Sequence, residues 1–259
     1  MFNGQYSMMK VTIFQTDIRW ADPQENVRQA QQMLTDNPGS DLYVLPEMWA
    51  TGFATKPQDI AEEEDASVAL RWMRQAAQEH DCAICGSLAV RTQDGRYWNR
   101  QYFVTPNGVT AYDKHHLFTY GHEDRYISAG DRQVIAEWRG QRFLLLTCYD
   151  LRFPVWARYG RAGEYDAIIC VANWPESRQQ PWRVLTRARA IENQCYLIGC
   201  NRVGDDRFCH YSGESLVCDS RGETLVQCPA NEVSVCTVDL DFEALATVRS
   251  RFRVLDDRD

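Results

Sequence analysis

Two apolar patterns alternate along the chain. One is a short unbroken apolar run closed by polar residues, which reads as a buried strand; the other places apolar residues three and four apart, which reads as a helix with one inward face. Val11–Gln15 alternates like a first strand. Asp22-Pro23-Gln24-Glu25 predicts a helix start, with an N-cap acceptor, proline at N1 and glutamate at N3. Val27, Ala30, Met33 and Leu34 form its inner face as far as Asn37. Leu42–Leu45 predicts a strand, 50–64 a loop, and 66–80 a helix with Ala69, Trp72, Met73 and Ala76 on one side. Residues 83–90 and 98–105 predict a hairpin about Asp94-Gly95-Arg96, and 109–112 follows the Asn107-Gly108 turn. The run 143–146 predicts a strand, and Pro154 suits the first turn of a short helix to Gly160. Then come a strand at 167–172, a helix at 182–193 with Val184, Leu185, Ala188 and Ile191 inward, and a strand at 195–199 running on to Asn201. Further strands end at Cys218, follow Arg221-Gly222 and span 233–240; the tail from Phe242 starts helical and ends charged.

Strand–helix–strand units mixed with hairpins predict an α/β fold in which helices cover mixed sheets. No short repeat and no Gly/Ser/Pro-rich linker interrupts the chain, so one domain is expected over 1–259, with 1–8 as a flexible extension.

Composition narrows the partners. Of 259 residues, 44% are hydrophobic and 25% charged, which is ordinary for a globular protein. A net charge of -8 argues against nucleic acid and anionic membranes. No apolar stretch approaches the roughly 20 residues of a membrane span, and Met1–Lys10 lacks the features of a signal peptide. Cys170, Cys195, Cys200, Cys218 and Cys236 sit in apolar runs and read as small buried hydrophobes in a reducing compartment. A cytoplasmic location is expected. Glu62-Glu63-Glu64-Asp65 reads as a solvated loop. Cys82 and Cys85 form the one tight cysteine pair. A zinc site would need a second such pair, and in a strand-like run the two thiols point to opposite faces.

Four apolar runs end in a polar residue at the C-terminal end of a strand: Glu47, Cys148, Asn173 and Asn201. Ligands bind at that edge of α/β sheets. Each residue alone reads equally as a surface glutamate, a core cysteine or a strand cap. Tyr112-Asp113-Lys114-His115-His116-Leu117-Phe118 reads as an active-site loop or as a charged surface turn. If the edges converge, a thiol, a carboxylate and an ammonium share one pocket. These are the parts for amide hydrolysis through a thioester. Cys148 attacks, Glu47 shuttles the proton, and Lys114 with a backbone N–H near Tyr149 holds the oxyanion. A helix N-terminus favours the thiolate, and Lys114 would lower the Cys148 pKa further.

Leu-Pro-Glu47, Asp-Lys114-His-His-Leu-Phe and Leu-Leu-Thr-Cys148-Tyr-Asp-Leu-Arg-Phe-Pro resemble the three signature segments of the nitrilase, or carbon–nitrogen hydrolase, superfamily. Their order fits, with 67 residues from Glu47 to Lys114 and 34 from there to Cys148. Val-Ala-Asn173-Trp-Pro, Ala-Arg-Ala-Ile-Glu192-Asn and Gly213-Glu-Ser215 match as well. The resemblance implies a four-layer αββα sandwich, a Glu–Lys–Cys triad, no metal and no organic cofactor. It also implies a second glutamate after the lysine, for which Glu123 stands in the right place. It further implies a homodimer or larger homo-oligomer, with the tail 248–259 crossing between subunits. Within the superfamily the motifs look most like bacterial omega-amidases, which hydrolyse 2-oxoglutaramate and 2-oxosuccinamate. Such substrates are anions, so Arg152 and Arg178 are candidates for the carboxylate, and Phe118, Tyr149, Asn173 and Trp174 for the pocket wall. Surface arginines and plain core packing are the alternatives. His115 and His116 read as packing residues. Rival functions are a nitrilase, carbamoylase or aliphatic amidase with the same triad, or a binding protein on this fold without catalysis.

Overall fold

The computed structural model describes residues 7–258. Of the expected extension, 1–6 lie outside the described residues. Met8 opens the first strand, and the Ser7 carbonyl accepts the Phe242 N–H at 2.8 Å.

In chain order the strands are β1 (Met8–Gln15), β2 (Leu42–Val44), β3 (Glu62–Glu63), β4 (Ala83–Arg91), β5 (Tyr97–Thr105), β6 (Gly108–Asp113), β7 (Ile135–Trp138), β8 (Gln141–Thr147), β9 (Ala167–Ala172), β10 (Tyr196–Asn201), β11 (Val203–Asp205), β12 (His210–Ser212), β13 (Leu216–Cys218), β14 (Thr224–Gln227) and β15 (Ser234–Asp241). The helices are α1 (Pro23–Asp36), α2 (Val68–His80), α3 (Pro154–Ala157), α4 (Gln179–Glu192) and α5 (Phe242–Arg251).

Two mixed sheets result. The first has order β15-β1-β2-β4-β5-β6, with β3 beside β4; the second has order β14-β13-β10-β9-β8-β7. Each has a parallel centre, β1/β2/β4 and β8/β9/β10, flanked by antiparallel strands. The parallel centres explain the apolar runs, because a central parallel strand is buried on both faces. Met9, Val11, Ile13, Val44 and Cys85 of the first sheet pack with Phe143, Leu145 and Ile169 of the second. On the outer face of the first sheet, Phe14, Tyr43, Leu45 and Ile84 pack with Ala30 and Leu34 of α1 and with Ala69, Met73 and Ala76 of α2. Trp156 of α3 and Trp182 and Ala190 of α4 join the second sheet. The layers are helix, sheet, sheet, helix, which is the expected αββα sandwich.

Local chemistry sets the helix ends. Asp22 accepts the Glu25 N–H at 3.1 Å, but the Glu25 carboxylate pairs with Arg28 rather than closing a capping box. Helix α2 begins at Val68, and the acidic run before it is structural. Glu62 accepts Ser67 Oγ and the Val68 N–H, while Glu64 accepts from Arg100 and the Tyr102 hydroxyl.

Helix α4 turns only part of the expected face inward: Leu185 packs against the core and Ala188 is half-buried, but the face is rotated. Trp182, Thr186, Arg189 and Ala190 are buried, whereas Val184 and Ile191 are 51% and 49% exposed. The inner face is claimed by hydrogen-bond donors that satisfy loop carbonyls, a demand that an apolar stripe does not reveal. Trp182 Nε1 donates to the Glu214 carbonyl and Arg189 Nη2 to the Leu151 carbonyl. The tail is held to its own chain as far as Arg258: Leu255 packs against the core, and the Arg258 guanidinium lies 5.7 Å from the Tyr159 ring. Arg249 pairs with Asp166 and donates to the Tyr165 and Gln194 carbonyls, and Gln194 Nε2 donates to the Phe252 carbonyl.

Candidate active site

The parallel strands of both sheets deliver their C-terminal ends to one place. Strand β8 ends at Thr147, and Cys148 turns with φ +46°, in the left-handed region. The 3-10 turn Cys148–Arg152 follows. Asp150, fully buried, fixes this elbow. Its Oδ2 accepts the Thr147 N–H at 3.0 Å and the Tyr112 hydroxyl at 2.7 Å, and its Oδ1 accepts the His116 N–H at 2.9 Å. One carboxylate thus ties the cysteine elbow to the lysine loop. His115 and His116 stack on Trp156 and Phe153 at 3.7 Å, so they pack as expected. Gly130 closes the loop: its N–H donates to the Lys114 carbonyl, and a Cβ there would overlap the Asp113 carbonyl oxygen.

Glu47, Lys114 and Glu123 are all buried. Lys114 Nζ lies 2.9 Å from Glu47 Oε1 and 2.9 Å from Glu123 Oε2. Glu47 Oε2 accepts the Asn173 N–H at 2.8 Å, and the Asn173 side chain donates to the Glu47 carbonyl. Glu123 Oε2 also accepts the Phe118 N–H at 2.6 Å. The half-buried Cys148 thiol lies 3.9 Å from the Asn173 carbonyl oxygen and within hydrogen-bonding reach of the Glu47 carboxylate. Asn201 completes the convergence by accepting the Trp174 N–H at 2.8 Å.

Electrostatics follow from burial. Desolvation pushes the Cys148 thiol well above its ordinary value, Glu47 pushes it further, and Lys114 opposes. The resting sulfur is therefore a neutral thiol, not the thiolate that a helix N-terminus would favour. Only a 3-10 turn and the four-residue α3 follow it, too short to outweigh desolvation. Burial pulls the Lys114 ammonium down, yet Glu123 and Glu47 outweigh it and leave its pKa well above the ordinary range. Glu123 is raised by burial, lowered by Lys114 and raised again by Glu47.

Above the cluster opens a small pocket that leads to solvent. Glu47, Lys114, Cys148, Phe118, Tyr149, Arg152, Asn173, Trp174 and Arg178 all line it; Glu123 sits behind Lys114. The Arg152 guanidinium lies 4.9 Å from the Trp174 ring, and that of Arg178 lies 5.2 Å from Phe118. Among the described residues neither has a carboxylate partner. Sequence reasoning missed Phe53, Cys209 and Tyr211 of the wall, the last two brought in by the β11–β12 hairpin. It also missed Asn99 and Ser87, which stand behind the glutamates.

Among the described residues no group of three or more His, Cys, Asp or Glu forms a metal cluster. Cys82 packs with α1 and α2 and Cys85 between the sheets, on opposite faces as the alternation predicts. Burial pushes both thiols up to about 12. No helix among these residues is long and apolar enough to cross a membrane.

Comparison with known proteins agrees with this geometry. The family model described as carbon-nitrogen hydrolase matches residues 10–250. Omega-amidase YafV of Escherichia coli (strain K12) is 42% identical over 253 residues, covering 97% of each chain. A 2-oxoglutaramate amidase of Bacillus subtilis (strain 168) is 34% identical, covering 96% of this chain and 98% of that one. The crystal structure of XC1258 from Xanthomonas campestris, a CN-hydrolase superfamily protein with an arsenic adduct in its active site, superposes with a TM-score of 0.92 at 37% identity, covering 97% of both chains. A fold, an ordered motif set and a full-length match thus agree, and this chain belongs to the carbon–nitrogen hydrolase family, enzymes that cleave non-peptide C–N bonds.

Proposed function

We propose that the protein is an omega-amidase, releasing ammonia from the terminal amide of small α-keto acid amides such as 2-oxoglutaramate and 2-oxosuccinamate. One observation carries the reading. A thiol, a carboxylate and an ammonium meet on the floor of a pocket that is also lined by two arginines with no carboxylate partner among the described residues. A substrate carboxylate would meet those guanidinium groups while its amide carbon reached the sulfur.

The chemistry follows the placement. Cys148 Sγ forms a bond to the amide carbon as Glu47 takes its proton. Lys114 Nζ and the Tyr149 N–H hold the oxyanion. Glu47 then protonates the departing nitrogen, the C–N bond breaks, and ammonia leaves a thioester. Water attacks the thioester, Glu47 takes a water proton and returns it to sulfur, and the carboxylic acid departs. Glu123 holds Lys114 from behind. No metal and no organic cofactor enters any step.

A substrate panel tests this. Ammonia release from 2-oxoglutaramate should exceed that from glutamine, a simple nitrile and an uncharged aliphatic amide. Arg152→Ala or Arg178→Ala should raise KM for the keto-acid amide roughly 10- to 100-fold, the worth of a charge-assisted hydrogen bond, and leave the uncharged amide unchanged. Turnover of a nitrile, carbamoyl compound or uncharged amide, with none of the keto-acid amide, would replace the substrate while keeping the family.

A cytoplasmic location is supported by ten cysteines that are all free. We further propose a homodimer. Exposed Ile191 of α4 shares a groove with exposed Phe252 and Val254, and exposed Val184 stands two turns earlier on the same helix, which leaves an apolar face of the kind that a second copy covers. Light scattering should give about twice the 30.0 kDa chain mass, and Ile191→Glu should give the monomer. A monomeric wild-type protein would refute the assembly.

A further inference from the structure

Asn99 lies in β5, fully buried and outside the pocket lining. Its Nδ2 is 2.7 Å from Glu47 Oε1 and 3.1 Å from Glu123 Oε1. Its Oδ1 accepts Ser87 Oγ at 2.8 Å, and Ser87 Oγ accepts the Met48 N–H at 2.8 Å. The Met48 N–H can only donate, so the serine hydroxyl accepts from it and directs its own proton to Asn99. That fixes the amide, with its oxygen toward the serine and both N–H groups toward the carboxylates. A flipped amide would set an acceptor against two acceptors.

We propose that Asn99, oriented by Ser87, is a positioning residue that holds Glu47 and Glu123 as two hydrogen-bond acceptors around Lys114, leaving Glu47 Oε2 to take the Cys148 proton. The inference rests on the reading of Glu47 as the base. Two buried carboxylates in such proximity share a proton unless donors keep both ionised, and a shared proton disables the base. Lys114 supplies one positive charge for two carboxylates. Asn99 supplies the second donor common to both, and it carries no charge. The other titratable or charged groups facing this cluster are the Cys148 thiol, Cys170 of β9, and, at the pocket wall, Arg152, Arg178, Tyr149, Cys209 and Tyr211. Burial and Glu47 already push Glu123 upward against Lys114. Removing a donor raises a carboxylate pKa, so the ionised pair then requires a higher pH.

The test is Asn99→Leu, Ser87→Ala and the double variant. Two pH profiles are measured: kcat/KM for 2-oxoglutaramate, and the alkylation rate of Cys148 by iodoacetamide, followed on its own peptide by mass spectrometry. In Asn99→Leu the acid limb of both profiles should move up by about one pH unit, with KM within about threefold of wild type. Ser87→Ala should move it in the same direction by less, and the double variant no further than Asn99→Leu. Rates lowered uniformly with the limb in place would overturn the proposal, as would additive shifts. If Asn99→Leu does not fold, Ser87→Ala decides by the same criterion. If the keto-acid amide is not a substrate, the alkylation profile still decides, so the two failures stay distinct.

Discussion

Alanine at position 148 abolishes ammonia release and leaves the fold standing. The expected loss in kcat is at least about 10⁴-fold, because no other group can form the acyl intermediate. The fold survives for reasons visible at the elbow. The resting thiol is neutral, so its removal strands no buried charge. The turn is held by Asp150 and backbone groups, and alanine meets the same backbone cost at φ +46° as cysteine does. Calorimetry should place the melting temperature within about 2 °C of wild type. Activity within tenfold of wild type would end the thioester mechanism.

Lys114→Met has a second large effect, on both activity and stability. The ammonium sits fully buried between two carboxylates, and its loss leaves Glu47 and Glu123 facing each other without it. Breaking a buried ion pair from one side costs about 3–5 kcal/mol, which lowers the melting temperature by roughly 10 °C. The pH dependence has a definite sign. In the wild type, burial and Glu47 raise the Glu123 pKa while Lys114 is the largest influence lowering it, so the variant keeps the raising influences opposed only by the Phe118 N–H and Asn99 donors. A carboxyl whose pKa is higher in the folded than in the unfolded state binds its proton more tightly when folded. The variant's stability should therefore fall as pH rises above the ordinary carboxyl value of 4.5. Urea denaturation at pH 5 and pH 8 checks this; equal losses at both would refute the charge argument. Ammonia release should be lost too, because the oxyanion loses its cation.

The catalytic trio was legible because of where strands stop. Glu47 and Cys148 each interrupt an apolar run at the edge where two parallel centres converge, a signal that survives without coordinates. Lys114 was harder, because nothing in Asp-Lys-His-His separates a buried ammonium from a surface turn; only the ordered set of motifs decided it. Asn99 and Gln101 were not legible. They alternate with Trp98, Arg100 and Tyr102, and a polar period of two normally marks the solvent face, yet both are fully buried. Their partners outside the β4–β5 hairpin, two carboxylates and a threonine hydroxyl, come from distant parts of the chain. Helix α4 departs in the opposite sense, since Val184 and Ile191 of its apolar stripe face out, only Leu185 of that stripe packs against the core, and the rest of its inner face is set by loop carbonyls. Cys209 and Tyr211 enter the pocket on a hairpin too short to show a pattern.

Keeping the sulfur protonated at rest has a consequence beyond hydrolysis. Peroxides consume thiolates, and a thiol with a raised pKa is a slow target on the path through sulfenic to irreversible sulfinic acid. The desolvation that makes Cys148 wait for a carbonyl and a base also protects it between turnovers. The nucleophile is armed by its substrate's arrival and reacts only slowly with oxidants in the meantime.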